Sequence, residues 1–73
     1  MTATVRHVSA GVYYFDVTTE LGVKLDASWV RDTNRWYAHY EATGKPVVIN
    51  SDTYWDVVRA CSPLLDEPEQ YSI

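Results

Sequence analysis

Apolar and polar residues alternate along much of the first half of this 73-residue chain. The clearest alternation lies in 23–30, where every second residue is apolar: Val23, Leu25, Ala27 and Trp29. A period of two is typical of an antiparallel strand with one buried face and one solvated face. The pattern therefore predicts a strand here. The alternative is that Asp26 caps a helical turn over 26–31.

Less regular alternation predicts strands on both sides of this segment. They cover 4–8, 12–18, 35–41 and a short apolar stretch at 46–49. Each gap except the polar one at 31–34 contains a glycine, which suits a reversal of the chain. Pro46 begins the last strand and cannot donate a ladder hydrogen bond, which favours an edge position in the sheet.

The apolar period lengthens after Ser51, which can cap a helix, as can Asn50. One helix face is formed by residues at i, i+3, i+4 and i+7: Tyr54, Val57, Val58 and Cys61. Ser62-Pro63 should end this helix. The sequence thus predicts one α+β domain over 1–65, an antiparallel meander of four to five strands with one C-terminal helix packed on one face. Residues 66–73 are expected to form an acidic, flexible tail.

Aromatic side chains are frequent, with three Trp, six Tyr and one Phe. A small domain buries only about 60% of the surface its unfolded chain exposes, so large rings help to stabilise it. The interior is expected to be filled by the helix face together with eight strand residues: Tyr13, Phe15, Val17, Val23, Leu25, Trp29, Trp36 and Tyr40.

Three rings remain after this assignment, namely Tyr14, Tyr37 and Trp55. In a purely structural interpretation, Tyr14 and Tyr37 form a cross-strand pair and Trp55 stacks under Arg59. In the other interpretation the rings are exposed and bind a partner, because Tyr, Trp and Arg dominate the energetics of protein interfaces. We adopt the second interpretation.

Charge argues against most contacts with nucleic acid. The formal net charge is −4, and three of the ten acidic residues lie in the tail, at Asp66, Glu67 and Glu69. Nucleic-acid binding depends on an excess of Lys and Arg, which this chain lacks. The acidity is compatible with a partner that has a basic surface.

No catalytic motif stands out. His39 shares a predicted strand face with Tyr37 and Glu41, and this row could orient a proton-transfer group or simply face solvent. His7 and His39 lack the spacing of a metal site, and Cys61 falls on the apolar helix face. We expect no enzymatic activity, no cofactor and no metal. A lone cysteine and the absence of a long apolar segment predict a cytoplasmic protein that does not span a membrane.

The function expected from these features is non-catalytic protein binding. The protein would be a small accessory or inhibitory protein of the kind that phages and mobile elements encode, and it would occlude a larger host complex, such as one that handles nucleic acid. Formation of a homodimer through the same rings is an open alternative. The expected binding residues are Tyr14, Tyr37, His39, Trp55, Arg59, Asp66, Glu67 and Glu69.

A second hypothesis is direct nucleic-acid binding by Arg31, Arg35 and Lys45, with aromatic residues interleaved. The run from Arg35-Trp36-Tyr37 to Gly44-Lys45, followed by a helix, resembles integrase-type DNA-binding domains over about a third of the chain. That resemblance implies a three-stranded sheet that reads DNA. The chain departs from the pattern at 46–49, which is apolar where those domains carry cations.

Overall fold

In the computed structural model of the protein, four antiparallel strands form a meander in the order β1-β2-β3-β4. The strands are β1 (Thr2–Ser9), β2 (Val12–Thr18), β3 (Lys24–Val30) and β4 (Arg35–Tyr40). Helix α1 (Asp52–Cys61) and a 3-10 segment (Ser62–Leu65) follow them. The structure describes residues 1–65. The predicted α+β meander with one C-terminal helix is confirmed.

Short turns set the register of the sheet. Ala10 and Gly11 both have positive φ, at 52° and 79°, and link β1 to β2. Two such residues match the right-handed twist of the strands on either side. The alternative helical turn at 26–31 is wrong, because Asp26 pairs with Asp16 on β2 and with His39 on β4.

The sheet has two different faces. On the helix-side face, cross-strand partners form an apolar row across all four strands: Val5, Phe15, Ala27 and Ala38. On the opposite face, which we call the open face, one row is Thr4, Asp16, Asp26 and His39. The adjacent row of the open face is His7, Tyr14, Ser28 and Tyr37. The period-two pattern of the sequence places the residues of β2, β3 and β4 on these faces correctly.

Helix α1 packs against β1 and β4 and closes the core over the helix-side face. Among residues 1–65, the buried core residues are Phe15, Val17, Leu25, Ala27, Ala38, Val47, Val57 and Cys61. Tyr13, Trp29, Trp36 and Tyr40 are only partly buried around this cluster. The assignment of Val23 to the core is wrong, since it precedes β3 and is 42% exposed.

The predicted strand at 46–49 is also wrong. Only Pro46 forms a bridge, to His39, and the Val47 N–H donates to the Ala38 carbonyl at 2.9 Å. The chain then turns, because the backbone N–H and the hydroxyl of Ser51 both donate to the Val48 carbonyl. Val47 therefore enters the core while the next two residues do not.

The helix begins and ends as predicted. The Ser51 hydroxyl oxygen accepts from the Tyr54 N–H at 3.1 Å, which makes Ser51 the N-cap. The α-helix ends at Cys61, where the Ser62–Leu65 turn begins. No helix in the part of the chain that the structure describes is both long and apolar enough to cross a membrane.

Candidate functional site

The three remaining rings are not sealed in the interior. Tyr37 and Trp55 are 44% and 43% exposed, and Tyr14 is half-buried. His39 and Arg59 are exposed as well. Asp66, Glu67 and Glu69 lie outside the described residues, so the acidic part of the predicted surface stays a prediction.

The most exposed apolar surface near these rings lies at the outer edge of β4. Val48 and Ile49 are 73% and 70% exposed, because the chain leaves the sheet after Val47. A small indentation of about 80 Å³ lies beside this edge, and its lining includes Tyr37, Ile49 and Tyr54. The Trp55 ring meets Tyr54 edge-on, with centroids 5.1 Å apart. We call Tyr37, Val48, Ile49, Tyr54 and Trp55 the edge patch.

The indentation at the edge patch has the size of one side chain. Sites for small molecules usually measure about 300–1,000 Å³, several times more. An apolar surface with a shallow notch is typical of a contact with another protein, where one anchoring side chain enters a recess. The geometry thus fits a macromolecular partner better than a metabolite.

Tyr14 and Tyr37 do not form the cross-strand pair considered from the sequence. They lie on β2 and β4, and Ser28 of β3 stands between them. Tyr14 instead stacks on His7 of β1, with ring centroids 5.6 Å apart. The two tyrosines therefore stand on either side of a small residue on the open face.

Arg6 reaches across the open face from β1. The register shifts between Val5 and His7, so Arg6 is the extra residue of a bulge in β1. Its guanidinium lies 3.7 Å from Asp16, 3.9 Å from Asp26 and 5.9 Å from the centre of the Tyr14 ring. This cluster was not predicted, because a bulge changes the register without a clear signature in residue type.

The proposed stacking of Trp55 under Arg59 is replaced by other contacts. The Arg59 guanidinium donates to Asp56 Oδ1 at 2.6 Å, one helical turn away. Such an exposed pair contributes at most about 1 kcal/mol to stability. The exposed part of the Trp55 ring therefore has no evident role in supporting the helix.

The cations of the nucleic-acid hypothesis do not form one patch. Arg31 and Arg35 flank the β3–β4 turn, whereas Lys45 follows the opposite end of β4 and its carbonyl accepts from the Tyr40 N–H. A strand rises about 3.4 Å per residue, so the length of β4 separates them. A nucleic acid would have to extend along the whole of β4 to contact all three.

A larger depression of about 710 Å³ lies between the β2–β3 loop and the segment after β4. Its lining is Gly22, Val23, Lys24, Tyr40, Glu41, Ala42 and Thr43. The lining contains Glu41 of the predicted row with Tyr37 and His39, and none of the expected binding residues. Among residues 1–65, no three His, Cys, Asp or Glu side chains lie close enough together to hold a metal ion.

Cys61 is part of the core rather than of a site. Burial raises the pKa of its thiol to about 12, so the thiol is protonated at neutral pH. Because the thiolate is the reactive form, we expect a thiol reagent to modify Cys61 at least about a hundredfold more slowly in the native protein than in denaturant. Spectroscopic thiol titration with and without urea measures this ratio. Equal rates would place the thiol at the surface.

Comparison with known proteins gives no relative. No family model matches the sequence, and no curated protein or solved structure shows significant similarity to it.

Proposed function

We propose that this protein is a non-catalytic module that binds another protein through the edge patch and the adjoining open face. The observation that carries the proposal is the exposure of four large apolar residues around one strand edge: Tyr37, Val48, Ile49 and Trp55. Leaving such side chains in water forgoes about 25 cal/mol for each Å² that could be buried. A contiguous apolar patch with a polar surround is typical of an interaction site.

The two parts of the surface meet at Tyr37. Its ring lines the indentation of the edge patch and also ends the row of His7, Tyr14 and Ser28 on the open face. Aromatic rings would supply most of the affinity, and charged residues around them would set orientation and association rate. The mechanism is occlusion, in which the bound protein covers a surface that its partner needs.

The finer features of the proposal rest on size and charge alone. An 8.4 kDa acidic chain suits a small accessory or inhibitory protein of a phage or mobile element. A cytoplasmic host complex with a basic surface, such as one that handles nucleic acid, is the proposed target.

The experiment is affinity capture from a host lysate with the full chain as bait, with and without nuclease. The double variant Tyr37→Ala, Trp55→Ala should weaken capture by several hundredfold or more, because interface anchors contribute about 2 kcal/mol or more each and two are removed. Nuclease should leave capture unchanged.

The matched control removes two exposed apolar side chains from the other end of the sheet. Leu21 and Val23 are 92% and 42% exposed and lie outside the edge patch. The double variant Leu21→Ala, Val23→Ala should capture as well as the wild type. Equal loss in both double variants, or capture that disappears with nuclease, would contradict the proposal. Thermal unfolding of all variants should agree within a few degrees.

A further inference from the structure

The register of the open face places Ser28 between two tyrosines, and we call the space above Ser28 the slot. Tyr14 and Tyr37 are separated by the strand that carries Ser28. Adjacent strands lie about 4.8 Å apart, so the two side chains arise about 9.6 Å from each other. A flat group in contact with a ring on each side needs about 7 Å, twice the usual carbon contact distance of about 3.5 Å. The slot is therefore wide enough for one planar group.

The Tyr14 ring is oriented for such a contact. His7 stacks on it with an angle of 28° between the ring planes, so one face of the ring looks towards β1. The other face consequently looks across Ser28 towards Tyr37. Ser28, whose side chain is small, stands between the two rings in the register of the sheet.

Negative charge lies directly beside the slot. Asp16 and Asp26 are cross-strand partners in the adjacent row, and their side chains are 57% and 40% exposed. Like charges opposite each other in a sheet repel, which favours a cation between them. An aromatic wall and two carboxylates together match the requirements of a guanidinium, which stacks on rings and pairs with carboxylates.

The protein already places one guanidinium near this position. Arg6 makes contacts of 3.7 and 3.9 Å with the two carboxylates, longer than hydrogen bonds, and lies 5.9 Å from the Tyr14 ring centre, near the limit of a cation–π contact. Its side chain is 48% exposed and arises from a bulge in an outer strand. These loose contacts can be exchanged for better ones.

We infer that the open face binds an arginine side chain of the protein partner between Tyr14 and Tyr37, and that Arg6 competes with that arginine for Asp16 and Asp26. The inference rests on the proposed function and adds the chemistry that the partner must present. Lys24 and Arg35 lie on the same face beyond the two rows. They disfavour basic residues of the partner at the two ends of this face, so its arginine enters over the two central rows.

The experiment titrates the full chain with a short, acetylated and amidated glycine–serine peptide that contains one central arginine. Binding in the millimolar range should shift the backbone amide NMR signals of Tyr14, Asp26, Ser28 and Tyr37. A peptide with citrulline, which has the same shape without the charge, should bind at least about tenfold more weakly. A lysine peptide should bind about threefold more weakly, because it cannot stack as a plane.

Two variants with the same chemical change test the role of Arg6. Arg6→Gln should tighten binding of the arginine peptide about fivefold, the combined effect of two long, exposed ion pairs and one weak cation–π contact. Arg35→Gln removes the same charge from the next row of the same face and should change affinity less than twofold. Asp26→Asn should weaken binding about fivefold, and Ser28→Leu should block the slot.

Several outcomes would overturn the inference. Equal effects of the Arg6 and Arg35 variants would show a general charge effect, and equal binding of citrulline would remove the role of the carboxylates. Shifts by a single-stranded oligonucleotide in place of the arginine peptide would assign the slot to bases. If these tests fail while the edge-patch variants still abolish capture, the proposed function stands and only the arginine site falls. If the peptide binds but the edge-patch variants capture normally, the proposed function falls, and the inference that the partner supplies the arginine falls with it.

Discussion

Phe15→Ala is expected to leave the protein largely unfolded at room temperature. Phe15 is fully buried and its ring lies 5.8 Å from that of Trp36 and 6.3 Å from that of Tyr13. Removing a buried Phe side chain costs about 3–5 kcal/mol. At about 0.05–0.15 kcal/mol per residue, a chain of this length has a total stability of similar size. Urea unfolding followed by circular dichroism measures the loss.

Leu21→Ala provides the control for this prediction. Leu21 is also a large apolar residue, but it is 92% exposed in the β2–β3 loop. Its truncation should change the free energy of unfolding by less than about 0.5 kcal/mol. Similar losses in the two variants would mean that Phe15 is not the centre of the core.

Ala27→Asp is expected to lower the free energy of unfolding at least as much as Phe15→Ala does. The cause here is a buried charge, whereas in Phe15→Ala it is a cavity. Ala27 is 3% exposed and lies between Phe15 and Ala38 in the row beneath the helix. An ionised carboxylate buried without a partner costs several kcal/mol. The same change at the neighbouring residue, Ser28→Asp, places the carboxylate on the open face and should cost less than about 1 kcal/mol.

The destabilisation caused by Ala27→Asp should depend on pH and decrease towards low pH. Burial would raise the pKa of the new carboxyl group in the folded state above its unfolded value, so the folded state binds the proton more tightly. The destabilisation relative to wild type should therefore shrink as the pH falls below the folded pKa. Urea unfolding of both proteins at pH 7 and near pH 4 tests this. A difference that grows towards low pH would show that the side chain is not buried.

Much of this fold follows from the sequence because its signals are local. The alternation at 23–30 predicts which residues of β3 face the core, and the Ser51 cap with the apolar spacing after it predicts α1. In both cases the residues within one strand or one turn of helix are sufficient. Tertiary contacts did not have to be known.

The failures concern features that alternation of apolar and polar residues does not encode, such as a local turn and whether another element covers a face. The apolar run at 46–49 suits a strand, yet the Ser51 hydrogen bonds to the Val48 carbonyl turn the chain towards the helix. Val23 fits the alternation of β3 but lies just before the strand, where nothing covers it among the described residues. Periodicity indicates a face and does not show whether another element packs on it.

The candidate site was predicted only in part. The chain has more aromatic side chains than its core can bury, and this comparison identified Tyr37 and Trp55 as exposed residues. The same comparison missed Val48 and Ile49, because both were assigned to a strand. It also missed Arg6, whose position over Asp16 and Asp26 results from the bulge in β1.

The meander has a consequence for how the chain acquires its structure during synthesis. Each hairpin pairs two strands that are consecutive in the sequence, so the sheet can form early and quickly. Docking of α1 on β1 is the long-range step, and it must wait until the C-terminal helix has left the ribosome. Until then the side of the sheet that carries Phe15 is bare, and the nascent chain is most vulnerable to aggregation in that interval.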